Sequence, residues 1–102
     1  MTQRESRLSQ RIQQALRAQG WFCFKVHGGP TMMAGLPDII VCAEGLFVGL
    51  ETKMPESRGK VSAHQGYVHD KIRQAGGAVA VVCGVEEAVQ AVKDAIDEDE
   101  PV

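Results

Sequence analysis

The chain has 102 residues, enough for one domain with a single modest core. Its 44% apolar and 24% charged residues are those of an ordinary globular protein, and no stretch approaches the roughly 20 apolar residues of a membrane span. The formal net charge of −2 excludes a uniformly basic nucleic-acid binder, but four negative charges sit in the tail Asp97-Glu98-Asp99-Glu100 and leave +2 on the rest, which permits a phosphate-bearing partner without demanding one.

Residues 4–19 predict an amphipathic helix. Leu8, Ile12, Ala15 and Leu16 form its apolar stripe, with Arg4, Arg7, Arg11 and Arg17 off it. Glu5 lies in line with the stripe, three residues before Leu8. An inward carboxylate needs a partner, unless it sits at the favourable N-terminus of its helix. No apolar signal core precedes this helix, so secretion is not expected. Gly20 ends it. Residues 21–26 predict a strand with Phe22, Phe24 and Val26 on one face and Lys25 on the other. The glycine-rich loop that follows, from His27 to Gly35, lacks the Lys-Ser/Thr ending of a P-loop.

Residues 38–43 and 46–53 predict a β-hairpin, closed by Glu44-Gly45 as a two-residue turn. That turn sets Ala43 against Leu46, and the same register sets Asp38 against Glu51. Like charges directly opposite one another are destabilising, with Cβ atoms only about 5 Å apart. Lys53, two residues beyond Glu51, shares its face. Two accounts of these residues are open: a solvated salt-bridge cluster of Asp, Lys and Glu, or a site for a hard divalent cation.

The polar loop from Met54 to Lys60 leads to Ser62-Ala63-His64-Gln65, which has capping-box spacing. Gln65 also shares the inward face of its helix with Val68, Ile72 and Ala75. Arg58, Lys60, His64, His69, Lys71 and Arg73 form a basic cluster. Gly76-Gly77 stops the helix. Residues 78–83 are a nearly unbroken apolar run that predicts a strand buried on both faces. Residues 85–96 predict the last helix, and 97–102 a disordered acidic tail outside a single domain over 1–96. Cys23, Cys42 and Cys83 fall in predicted strands without zinc spacing, and are expected as buried reduced thiols in a cytoplasmic protein. The first three strands suit an antiparallel meander, and a helical crossover sets the fourth parallel to the third.

This α/β order, helix-strand-strand-strand-helix-strand-helix, resembles the PD-(D/E)XK nuclease superfamily through Pro37-Asp38 and Glu51-Thr52-Lys53. With Glu5, Lys25, Gly35-Leu36-Pro37-Asp38, Ser62 and Gln65 added, it resembles the virus-type replication-repair nuclease (VRR-NUC) domain over about residues 5 to 83. Leu36 and Thr52 depart mildly from the usual Val and apolar residue. The stand-alone length is similar to that of phage-encoded or bacterial members.

The resemblance implies a restriction endonuclease-like core, a mixed four-stranded sheet flanked by helices. It implies Mg²⁺ or Mn²⁺ held by Asp38, Glu51, the Thr52 backbone carbonyl and Glu5. Lys53 would orient the attacking water or steady the phosphate, and Gln65 would hold water or a carboxylate in place. Lys25, Arg58 and Lys60 would contact the phosphates of DNA. The implied activity is metal-dependent endonuclease cleavage of structured DNA, four-way (Holliday) junctions foremost, by a homodimer. Three alternatives stand beside it: a non-catalytic DNA- or protein-binding module with the same fold, an assembly protein whose acid-lysine cluster is only structural, and a sequence-specific restriction-type enzyme.

Overall fold

The computed structural model describes residues 2–99. The elements are α1 (Gln3–Ala18), β1 (Phe22–Lys25), β2 (Ile39–Ala43), β3 (Leu46–Thr52), a 3₁₀ turn at Pro55–Ser57, α2 (Ala63–Gln74), β4 (Ala78–Val82) and α3 (Val85–Asp99). The strands lie in the order β1-β2-β3-β4. The first three pair antiparallel, and β4 returns parallel to β3 after the α2 crossover. The sheet is therefore mixed, as expected.

The hairpin forms because its turn residues suit the twist of its strands. Glu44 and Gly45 both take positive φ, 51° and 81°, as a type I′ turn requires. Ala43 pairs with Leu46, and the register holds out to Ile39 opposite Leu50. Alternation then turns Ile39, Val41, Ala43, Leu46, Val48 and Leu50 to one face. Leu8, Ile12 and Leu16 of α1 and Ala88, Val92 and Ala95 of α3 close over that face to make the core. Full burial of each large aliphatic side chain contributes roughly 1.5–3 kcal/mol.

The other face is only partly covered. Helix α2 packs on β4, while Phe22, Phe24 and Phe47 stay exposed. The rings of Phe22 and Phe24 lie 6.0 Å apart, tilted by 53°. Cys42 shares this open face through its pairing with Phe22, so it is exposed, and Cys83 is half-buried; of the three thiols expected in the interior only Cys23 is buried. Strand β4 is also less buried than its apolar sequence predicts. It is the sheet edge, and four of its five residues are half-buried. Helix α3 continues through Asp99, so residues 97–99 of the expected disordered tail are helical; the remainder of that tail lies outside the described residues.

Gly35 fastens the loop before β2. Its φ is +87°, and a Cβ there would collide with the His64 carbonyl at the start of α2. Gly35→Ala is therefore expected to lower stability by about 2 kcal/mol or more, from the left-handed backbone and the clash together. Urea denaturation measures this, and an unchanged midpoint would refute the close approach. At the next contact, Ser62 Oγ accepts from the Gln65 N–H at 3.1 Å, and Gln65 Oε1 accepts from the Ser62 N–H at 2.9 Å. Ser62→Ala removes half of this capping box and should cost about 1 kcal/mol by the same measurement.

Candidate active site

Asp38 enters the sheet just ahead of β2, where its carbonyl accepts from the Val26 N–H at 2.8 Å. Continuing the hairpin register by one step sets it opposite Glu51. The two carboxyl groups are close enough for Asp38 to act on the acidity of Glu51. Asp38 Oδ2 also accepts from the Thr52 backbone N–H at 2.9 Å.

Glu51 is the unusual member of the pair, with 1% of its surface exposed. Burial above all, then the neighbouring Asp38 carboxyl, as an acceptor for the Glu51 proton and as a like charge, push the Glu51 carboxyl up to about 9, against a smaller opposing pull from Lys53. Two carboxyl groups in one desolvated place share a proton rather than both ionising. Glu51 Oε1 is buried without a hydrogen-bond partner among the described residues.

Lys53 brings its positive charge to the same neighbourhood, and its backbone N–H ties the end of β3 to the Val82 carbonyl at 3.0 Å. A hollow of about 280 Å³ opens beside Asp38, lined by Val26, Gly28, Gly29, Gly35 and Pro37 among others. A larger groove of about 490 Å³ lies against α2, lined by Met33, Phe47, Tyr67 and Ile72 among others, and neither carboxylate opens into it.

The other expected site residues stand differently. Glu5 belongs to the first turn of α1, where its N–H donates to Thr2 Oγ1 at 3.2 Å and its Oε1 accepts from that hydroxyl at 3.3 Å. The structure does not gather it with Asp38 and Glu51: among the described residues no three Asp, Glu, His or Cys side chains are grouped to hold a metal. The local reason is the helix terminus, whose unpaired N–H groups attract a carboxylate. Gln65 spends its side-chain oxygen on the capping box. Lys25 pairs with Ile39, a core-face residue, and so belongs to the sheet face opposite the Asp38–Glu51 pair; it is half-buried and not a free cation. Arg58 is clasped by Glu87 through two hydrogen bonds of 2.6 and 2.8 Å. Lys60 is exposed.

One residue of this neighbourhood was not anticipated. His69, a member of the basic cluster in the sequence, is 3% exposed, and its Nε2 lies 3.4 Å from Glu51 Oε1. Its position was legible in principle, four residues after Gln65 and next to Val68 on the inward side of α2.

The donor set fits a hard divalent cation. It offers two adjacent carboxyl groups, one with a buried unpaired oxygen, the oxygen donors that hard cations take alongside waters. Against solved structures, the chain is similar to one described as a VRR_NUC domain, with a TM-score of 0.71 over 90% of this chain and 97% of that one. The fold is that of a VRR_NUC domain. At 22% identity the likeness is one of architecture. No family model matches the sequence, and no curated protein does either. Within the VRR_NUC fold of this chain, Asp38 and Glu51 occupy the start of β2 and the end of β3 on the open side of the sheet. No helix among the described residues is long and apolar enough to cross a membrane.

Proposed function

We propose that this chain is a metal-dependent endonuclease that hydrolyses phosphodiester bonds in structured DNA, four-way junctions first among them. The observation that supports this reading is the Asp38–Glu51 pair, two carboxyl groups forced together in a desolvated place with Lys53 beside them. A merely structural salt bridge gains little from such burial, because desolvation outweighs the attraction unless every lone pair is satisfied. Here Glu51 Oε1 is not.

Asp38 and Glu51 would hold Mg²⁺ or Mn²⁺. In an extended strand the N–H and C=O of one residue point to the same side, so the Thr52 carbonyl faces the Asp38 side with its N–H and offers a third oxygen. The bound ion would polarise a phosphoryl oxygen and lower the pKa of its water. Lys53 would orient the attacking water and stabilise the charge that builds on the phosphate. Gln65, near this end of the sheet, would position water with the amide group that capping leaves over. Lys60 would make a sequence-neutral phosphate contact, joined by Arg58 where DNA displaces Glu87, whereas Lys25 lies on the far face of the sheet and does not reach the site. Glu5 enters this scheme only if the first turn of α1 releases it.

Two symmetric strands are cut by two symmetric sites, so the same reading makes the working form a homodimer. Its place of action would be the cytoplasm, that of a bacterial host for a phage-encoded protein.

The test is cleavage of labelled four-way junction, flap, single-stranded and linear duplex DNA with Mg²⁺, with Mn²⁺ and with EDTA. The expected result is symmetric nicking of the junction that EDTA abolishes. No cutting by either metal, with no ion bound in calorimetry, would reject the proposal. A second reading, a metal-free module that holds DNA or a protein without cutting, is favoured by one observation: Glu5 is committed to Thr2 and supplies no third carboxylate. That module would retain a junction in a mobility-shift assay, with EDTA present, and never nick it.

A further inference from the structure

His69 and Glu51 form a buried pair on facing elements, α2 and β3. Their side chains are 4% and 1% exposed, with Nε2 and Oε1 3.4 Å apart. Neither atom has a hydrogen-bond partner among the described residues: at 3.4 Å the two are in contact without completing a hydrogen bond. Two orphaned polar atoms facing each other in a desolvated place are costly apart and useful together, since each is the nearest means of satisfying the other. The neighbouring inward residue is Val68, and an aliphatic side chain at 69 would continue that apolar face.

We infer that His69 is a positioning residue for the metal site: its Nε2, set against Glu51 Oε1, would donate to that oxygen and fix the orientation of the carboxylate that would hold the cation. This inference rests on the metal-dependent reading given above. Outer groups that hydrogen-bond a ligating carboxylate orient it and raise its hold on the metal, and their loss weakens metal binding about 10- to 100-fold.

The test is calorimetric titration of the full chain with Mn²⁺ for the wild type, His69→Leu and His69→Gln. Circular dichroism confirms that each variant is folded. His69→Leu removes the donor and should weaken Mn²⁺ binding 10- to 100-fold. His69→Gln keeps an N–H near Oε1 and should stay within about threefold of the wild type, a rescue that simple packing would not predict for a polar amide. Wild-type binding of Mn²⁺ with His69→Leu binding equally well overturns the role of His69 alone. Absence of Mn²⁺ binding in the wild type overturns the metal reading, and this inference with it. A second measurement needs no variant. Nitrogen NMR of the wild-type imidazole with Mg²⁺ bound should find the proton on Nε2, and a proton on Nδ1 alone would overturn the assignment even if His69→Leu fails to fold.

Discussion

Asp38→Asn is expected to lower metal-dependent cleavage by on the order of 10³-fold while leaving the fold intact. The carboxylate of Asp38 is the part of the pair that faces the open hollow, and a neutral amide contributes no charge to hold a divalent ion. Metal polarisation is worth several kcal/mol of transition-state stabilisation, and each 1.36 kcal/mol is a factor of ten in rate. The structural duty of Asp38 is to accept from the Thr52 N–H at 2.9 Å, and the amide oxygen of Asn can do this. The loss should therefore appear in single-turnover cleavage rates with little change in melting temperature. Lys53→Ala should also cut the rate steeply, yet leave Mn²⁺ affinity within a few fold, because Lys53 is no ligand. Activity of Asp38→Asn within tenfold of the wild type would show that the chemistry lies elsewhere.

Glu51→Gln should have the opposite profile, with metal binding lost and the metal-free protein made more stable. The sign follows from the raised pKa. The unfolded Glu51 titrates near 4.5 and the folded one near 9. Between those values the native state holds a proton that the unfolded chain does not, so stability falls as pH rises through that window. Gln carries no such proton and keeps a donor toward Asp38. At pH 7.5 the variant should gain on the order of 2 kcal/mol, allowing for partial screening, or roughly 10 °C in melting temperature for a domain of this size. At pH 4.5 the gain should vanish. Thermal melts in EDTA across this range measure it, and a difference that does not change with pH would disprove the buried, protonated state. The same linkage means that a cation must displace the Glu51 proton, so wild-type Mn²⁺ affinity should strengthen toward pH 9.

Much of the site was legible because its logic is local. A two-residue turn at Glu44-Gly45 dictates the register of the hairpin, and the register dictates that Asp38 meets Glu51. The Ser62–Gln65 capping box is likewise a matter of spacing along one helix. Element order also carried the antiparallel meander and the parallel return of β4, since chain connectivity leaves few alternatives.

What the sequence could not decide was everything that depends on which surface another element covers. The apolar run of β4 reads as an interior strand, yet among the described residues no strand lies beyond it in the sheet, and it is only half-buried. Cys42 and the phenylalanines of β1 alternate as core residues do, but α1 and α3 both pack on the opposite face. Glu5 was legible as an inward carboxylate, and the helix terminus claimed it for Thr2. Arg58 was legible as a phosphate contact, and the start of α3 supplied Glu87 to hold it. His69 became a member of the site only when the crossover laid α2 against the end of β3. The sequence by itself determined the strand register and the opposed acid pair, because turns and alternation act over a few residues. The tertiary structure alone decided the burial of that pair and the groups that surround it, because burial is a property of what packs from elsewhere in the chain.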